Sequence, residues 1–570
     1  MCAVTRKFPG GVRAFGLEHR QYQFIGRGAD AMSIIRRSIR SSSFDVQTKD
    51  PFLTDPAMVG IPIFDKKSLL INKHLDKMGM GRYQWFLYFL CGGGYFLDLM
   101  WANSFGLAGP AMQREFGIHD NVYGTLFTSF SVGLTVGALV WGILVDIIGR
   151  KWAFNLTLAI ASVFGTLIGI PYHISGTAAD LKQWQWVIIC ILAGMVGTGI
   201  GGNIPIDSTI LIEFLPQNKR FLLASVSTFQ PLGVVMNCLI SYLIIPKFSC
   251  PKKSLACNSF EETDCCTQSS NMGWRYMFFA TGAITIVIFI GRFLLFKFIE
   301  SPKFLLSKGR DEEAIQAVQD VAKVNRQECH LSIMDFYYLE VMAEREEAVL
   351  STERELTPLM RIPRKEKALR GALKNLSELF SSWTMVRLTL LTWVVYAFDA
   401  WGFSIAGAFG PKILESRGQQ QADGNYLDLI IVALYGLPGT VIATTMIEVP
   451  SFGRKWSMVF SSALMATSCF LFVKIPQPVT MLGLEYFAQS LFNAILYGWT
   501  AEAFPARLRG TACGLASTWG RLFSIISPIL AGVILASRGP SDLLYLAGGG
   551  VFICTAAIVL LPETKDAQAL

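Results

Sequence analysis

Six charged side chains stand inside long apolar runs of the sequence: Asp98, Asp207, Asp399 and Glu485, with Arg292 and Arg521. A charge at the centre of a bilayer costs about 3 kcal/mol or more, so such groups face a cavity or pair with one another. A carboxyl in a low dielectric favours its neutral form, and in that form it can cross a membrane with its proton. Glu485, Gln489, Asn493 and Tyr497 recur every four residues, which sets them on one stripe of a helix. A substrate-lined or water-filled face is the reading adopted over interhelical hydrogen bonding, because Glu485 is costly as mere glue. Asn203 and Asp207 share that spacing, and Gln230 and Asn237 are further candidates for the same cavity. Arg521 either pairs with Asp207 or binds an anionic substrate; the ion pair is preferred. Trp101 and Trp401 can stack on a ligand, but packing is the commoner role of such rings.

The elements that hold these groups follow from composition. Of 570 residues, 52% are hydrophobic and 16% are charged, against about a quarter charged in soluble domains. A helix crosses a bilayer with roughly 20 mostly apolar residues, and a dozen such runs are present. They are placed at 84–110, 122–146, 152–172, 186–211, 221–246 and 274–299, then at 385–411, 427–449, 456–474, 480–501, 508–535 and 542–561. In lipid a helix satisfies its own backbone groups, so an all-α bundle is expected.

The net charge is +8, and about three quarters of the Lys and Arg fall on one side of these spans, which makes that side cytoplasmic. The surplus is read as topology and not as nucleic-acid binding. The sequence has no phosphate-cradling loop ending in Gly-Lys-Ser/Thr, and its five His form no metal-spaced cluster. No cofactor and no metal are expected. Cys250, Cys257, Cys265 and Cys266 crowd one polar loop on the other side, where two disulfides are expected with connectivity open.

An internal repeat organises the chain. Tyr95-Phe96-Leu97-Asp98 is followed by Gly109-Pro110, and Tyr396-Ala397-Phe398-Asp399 by Gly410-Pro411 at the same spacing. Gly149-Arg150-Lys151-Trp152 recurs as Gly453-Arg454-Lys455-Trp456. Glu213 with Arg220 recurs as Glu502 with Arg509. Two pseudo-symmetric six-helix halves are an arrangement of transporters, with the substrate between the halves. The division expected is a largely disordered cytoplasmic tail over 1–83, a first half over 84–299, a cytoplasmic central loop over 300–384, a second half over 385–561, and a cytoplasmic C-terminus over 562–570.

At these residues the chain resembles the major facilitator superfamily. Gly142-Ile143-Leu144-Val145-Asp146-Ile147-Ile148-Gly149-Arg150-Lys151 is similar to its signature loop between helices two and three. The Glu213/Arg220 and Glu502/Arg509 elements, and Glu300-Ser301-Pro302, resemble the sugar-porter group. Gly201-Gly202-Asn203-Ile204-Pro205-Ile206-Asp207 and the Cys-rich loop look most like the synaptic-vesicle-protein-like branch. The resemblance implies that Asp98, with Asp399 as its repeat partner, couples transport to protons. It also implies a cytoplasmic latch made of Asp146, Arg150, Glu213 and Arg220 in one half and Glu448, Arg454, Glu502 and Arg509 in the other. Ala193 stands where many sugar porters carry an Arg, and the seventh segment, Trp393 to Asp399, has no Gln where sugar hydroxyls bind. A carrier is implied without a hexose being specified.

The reading is a secondary active transporter of a small solute, working by alternating access as a proton symporter, and not an enzyme. Its partners are the solute, protons and the lipid bilayer, with no nucleic acid. A plasma membrane is the expected location, with vacuolar or vesicular membranes as alternatives and both termini cytoplasmic. The rival reading is a non-transporting binding or sensor protein on the same scaffold, against which the retained intramembrane acids and the polar stripe argue.

Overall fold

A bilayer offers a peptide backbone no hydrogen-bond partners, so apolar runs of this length fold as helices that bond within themselves. The computed structural model describes residues 61–170, 178–219, 222–251, 265–295, 298–353, 377–416, 422–448, 453–504 and 509–561. Among them there are helices and no β-strand. A helix α1, Ile63–Met78, precedes the first span. The first six spans are α2 (Arg82–Phe116), α3 (Thr125–Ile148), α4 (Arg150–Ile168), the broken pair α5 (Ala178–Ile200) and α6 (Asn203–Phe214), α7 (Phe229–Ile244) and α8 (Gly273–Ile290). Three short connector helices follow: α9 (Pro302–Ser307), α10 (Asp311–Asn325) and α11 (Ile333–Glu353). The last six spans are α12 (Trp383–Ser416), α13 (Ala422–Glu448), α14 (Gly453–Lys474), α15 (Pro478–Ala503), α16 (Arg509–Ser537) and α17 (Pro540–Leu560).

Ten of the twelve spans are long and apolar enough to cross a membrane by composition alone. The two that are not, α2 and α15, carry Asp98 and the stripe from Glu485 to Tyr497. They can enter a bilayer only with their polar face turned inward.

Three departures from the expected elements have local causes. The fourth span is not continuous. Pro205 has no N–H to give to the Gly201 carbonyl, and the chain turns at Gly201-Gly202 before α6 resumes. Pro110, in contrast, does not end the first span. α2 runs on to Phe116 because Ala111, Met112 and Phe116 are buried against the bundle. Within the expected disordered tail, α1 is an ordered helix. Lys67, Leu70, Ile71, His74, Leu75 and Met78 recur at helical spacing and are all buried.

That face of α1 packs on α9, α10 and α11. Lys67 Nζ donates to Glu340 at 2.7 Å and also to Asp311. Burial alone lowers the pKa of this ammonium; the two carboxylates outweigh it and hold the group above the usual lysine value. The connector also caps the first span. Asn325 Oδ1 accepts the Tyr83 N–H at 2.9 Å, doing for α2 what an N-cap side chain does from within the chain.

α3 and the fourth span meet backbone to backbone. A methyl group on Gly133 would lie 2.0 Å from the Gly194 carbonyl oxygen, and one on Gly137 would lie 2.3 Å from that of Thr198. From the other side, one on Gly197 would lie 2.3 Å from the Phe130 carbonyl oxygen. Small residues at such crossings replace the hydrophobic effect as the source of association in lipid. The second half repeats the device, with Gly439 against the Phe487 carbonyl at 2.5 Å between α13 and α15. Replacing Gly197 by Leu therefore overpacks the contact. The unfolding midpoint, read by tryptophan fluorescence in nanodiscs, falls by about 5 °C or more. Gly498→Ala, where nothing lies within 4 Å, leaves it unchanged.

Candidate substrate cavity

One end of the bundle carries α1 and α9–α11 and is called here the connector end. The other carries the Cys250–Cys266 disulfide and is called the disulfide end. Midway between them, the two halves enclose a cavity of about 160 Å³. It is walled mainly by apolar and aromatic groups, among them Phe127, Phe130 and Phe403. Among the described residues that line it, Glu485 is the one acidic or basic side chain. A smaller space adjoins through the shared Leu99, Phe403 and Tyr486, and it is lined by Gln230, Gln489, Asn493 and Tyr497. The polar stripe on α15 thus faces two adjoining spaces, Glu485 the larger and Gln489, Asn493 and Tyr497 the smaller. α15 rests against α13 along the Gly436–Gly439 contact, which turns this face inward.

The three acids around this space are held differently. Asp98 accepts from Gln230 Nε2 at 3.3 Å, between α2 and α7. Asp399 accepts from Gln489 Nε2 at 3.2 Å, between α12 and α15. Glu485, 5% exposed, has no hydrogen-bond or ion-pair partner among the described residues. Arg521 lies within electrostatic reach of Asp98, and its Nη1 donates to the Leu134 carbonyl of the other half.

Asp207 is paired with Arg292, not with Arg521. The two sit 3.0 Å apart, both fully buried. Arg292 also donates to the carbonyls of Leu90 at 2.9 Å and Phe154 at 3.3 Å, and lies 3.8 Å above the Phe154 ring. It reaches them from a π-helical turn, Gly291–Leu295, that continues α8. Gly94 makes room: a methyl group there would lie 1.7 Å from Asp207 Oδ2. The pair ties α2, α4, α6 and α8 together inside the first half. Asp207, Asn203, Asn237 and Arg521, and the acids Asp98 and Asp399, are outside the residues that line the cavity. Asn203 is buried at the start of α6, in the break. Asn237 spends its amide on the Met100 carbonyl and Ser104 Oγ, both at 3.0 Å, because α7 and α2 press together there. Trp101 is fully buried and donates to Thr285 Oγ1 at 3.0 Å, so it is a packing residue.

Both ends carry charge clusters. At the connector end Arg150 Nη2 lies 3.4 Å from Glu213. The Glu300 carboxylate accepts the backbone N–H groups of Arg150 at 3.1 Å and Lys151 at 3.3 Å, capping α4. Arg454 is described at the start of α14. Arg220, and the side chains of Asp146, Glu448, Glu502 and Arg509, lie outside the described residues. At the disulfide end Lys412 of the second half donates to Gln113 at 2.6 Å and to Asp120 of the first. The Tyr123 and Phe409 rings meet beside them at 5.6 Å. A methyl on Gly124 would lie 2.2 Å from the Pro528 carbonyl oxygen, so the halves touch there. Behind this contact a buried Glu115 takes both guanidinium nitrogens of Arg275, at 2.7 and 2.9 Å, and the Trp274 N–H at 2.9 Å.

The Lys412 and Glu115 clusters escape a sequence reading that ends the two helices at Pro110 and Pro411. The residues just past those prolines hold the signal. Of the four loop cysteines, Cys250 is bonded to Cys266, Cys265 is disulfide-bonded, and Cys257 lies outside the described residues.

Known proteins place this architecture. A siderochrome iron transporter of the major facilitator superfamily from Ceriporiopsis subvermispora is 30% identical over 515 residues, covering 89% of this chain and 92% of its own. A major facilitator-type transporter of Emericella nidulans is 31% identical over 479 residues, covering 82% of this chain and 81% of its own. The xylose transporter XylE from E. coli, solved in a partially occluded inward open conformation, superposes with a TM-score of 0.58 at 15% identity. That superposition covers 84% of this chain and all of that one. A family model described as sugar (and other) transporter matches residues 83–568, and the chain belongs to that family, within the major facilitator superfamily.

Proposed function

We propose that the chain is a proton-coupled symporter that moves a small solute by alternating access. The observation that carries the coupling is the placement of Asp98. It sits on a first-half helix next to Leu99, which lines the cavity, and is bonded to Gln230, which lines the adjoining space, with Arg521 of the second half in electrostatic reach. Ionised, Asp98 attracts Arg521 across the interface between the halves. Protonated, it does not. Proton occupancy then biases which arrangement of the halves is favoured, by as much as that attraction differs between them. Asp399, held by Gln489, is a second proton-coupling candidate on the other half.

The Lys and Arg excess around α1 and the connector supports a cytoplasmic connector end and cytoplasmic termini. The disulfide then faces an oxidising compartment, which fits a plasma membrane. On this orientation the Lys412–Asp120 contact closes the outer side, and the solute leaves the cavity toward the cytoplasm. The Arg150–Glu213 pair, formed here together with the Lys412–Asp120 contact, is with its second-half counterparts the proposed cytoplasmic latch. The division into a tail, two halves and a connector is the proposed functional division as well.

Two outcomes follow. Lys412→Ala removes a partly buried ion pair worth about 1 kcal/mol, so hydrogen–deuterium exchange over residues 120–128 and 525–532 rises about fivefold. Unchanged exchange there would show that the contact does not hold the halves. In liposomes with a trapped pH dye, a panel of xylose, benzoate and trimethylphenylammonium is applied outside. Wild type acidifies the lumen with its substrate, and Asp98→Asn loses that signal. Solute flux with no pH change in wild type sinks the coupling.

A further inference from the structure

Glu485 has a different setting from every other buried acid described above. Asp98 and Asp399 each accept from a glutamine amide, Asp207 has Arg292, and Glu115 has Arg275. Glu485 has none of these, although it is 5% exposed and lines the larger part of the cavity. A buried carboxylate without a partner is among the most costly groups a protein can hold. The Tyr486 hydroxyl beside it is likewise buried and unpartnered, and its residue lines both parts of the cavity. So is Gln489 Oε1, one turn further along α15. All three unmet atoms are acceptors or, for the hydroxyl, an acceptor as well as a donor. They ask for a ligand that donates or carries positive charge.

The rest of the wall says what else that ligand has. Phe127, Phe130 and Phe403 line the space, and no Lys, Arg or His is among the described residues that do. The nearest cations are engaged elsewhere, Arg521 with the Leu134 carbonyl and Lys412 with Asp120 and Gln113. An anion would meet the Glu485 carboxylate with no cation among the described lining residues to offset it. A polyhydroxylated neutral solute would find Asn103, Ser131, Ser404 and Ser524 to bond, but it would leave Glu485 without a counter-charge. A monovalent organic cation with an apolar or aromatic body meets both features, since its charge pairs with Glu485 and its body packs on the rings.

We infer that the cavity binds a monovalent organic cation, with Glu485 as its counter-ion and the Phe127, Phe130 and Phe403 rings around its body. The inference rests on the proposed function in taking this cavity as the transport site. It adds the substrate class. With a proton on Asp98 and the cation on Glu485, an acid beside the cavity and the acid lining it are neutralised together in the loaded carrier.

The test is binding by isothermal titration calorimetry to the full chain in nanodiscs, with no gradient and no flux. Trimethylphenylammonium is the probe, with uncharged benzyl alcohol and anionic benzoate as counterparts of similar size. The cation binds wild type at least about tenfold more tightly than benzyl alcohol, a difference of about 1.4 kcal/mol. Glu485→Gln loses that preference while binding benzyl alcohol as before. Glu485→Asp, which keeps the charge on a shorter stem, falls between. Equal affinities for cation and neutral probe in wild type would overturn the inference. So would tightest binding of benzoate, absence of cation binding, or an undiminished cation preference in Glu485→Gln. Cation binding without proton-driven uptake would remove the coupling and leave this site standing. Proton-driven uptake of a neutral or anionic solute alone would do the reverse.

Discussion

Everything at the cavity hangs on a pair of charges that never reaches it. Asp207 and Arg292 are both closed off from solvent, 3.0 Å apart, in the middle of the first half. A buried pair of this kind stabilises little in total, but losing one partner leaves an uncompensated charge and costs about 3–5 kcal/mol. It therefore acts as a constraint. α6 must resume at Asn203 after the Gly201-Gly202 break, the end of α8 must widen into a π turn, and α2 must carry glycine at 94, or the two groups do not meet. With these fixed, α2 lies where Asp98 looks across to Gln230 and the cavity. The second half is held through the Gly436 and Gly439 contact and the Asp399–Gln489 hydrogen bond.

The two halves thus meet around acids of unequal status. Asp98 and Asp399 are supported by neutral amides, which leaves room for a proton to come and go. Glu485 is unsupported, which leaves room for a ligand. The contacts between halves at the disulfide end are of another kind, one ion pair and ring and backbone touches, and none involves a cavity acid. Such a seal can open without disturbing the buried pair that holds the first half together. That separation between a rigid half and a breakable contact is what alternating access requires.

Much of this was legible in the residues alone. Long apolar runs and the Asp98/Asp399 and Gly149/Gly453 repeats specify twelve helices in two halves. Four-residue spacing put Glu485, Gln489, Asn493 and Tyr497 on one face, and they line two adjoining spaces. What spacing cannot show is which neighbour a polar group turns to. Asn203 and Asp207 have the same period as the α15 stripe, yet they face into their own half, because the break before Asn203 and the reach of Arg292 decide their direction. Asn237 is taken by α2 for the same reason. Proline misled at Pro110, since burial of the following turn outweighs one lost hydrogen bond. The ordered α1 was hidden by its charge content, because Lys67 is neutralised by residues more than two hundred positions away.

The most direct measurement is accumulation of trimethylphenylammonium in proteoliposomes under an imposed inward proton gradient with the membrane potential clamped. The account predicts accumulation above the outside concentration that collapses on adding a protonophore. Uptake that only equilibrates, and does not respond to the proton gradient, would contradict it.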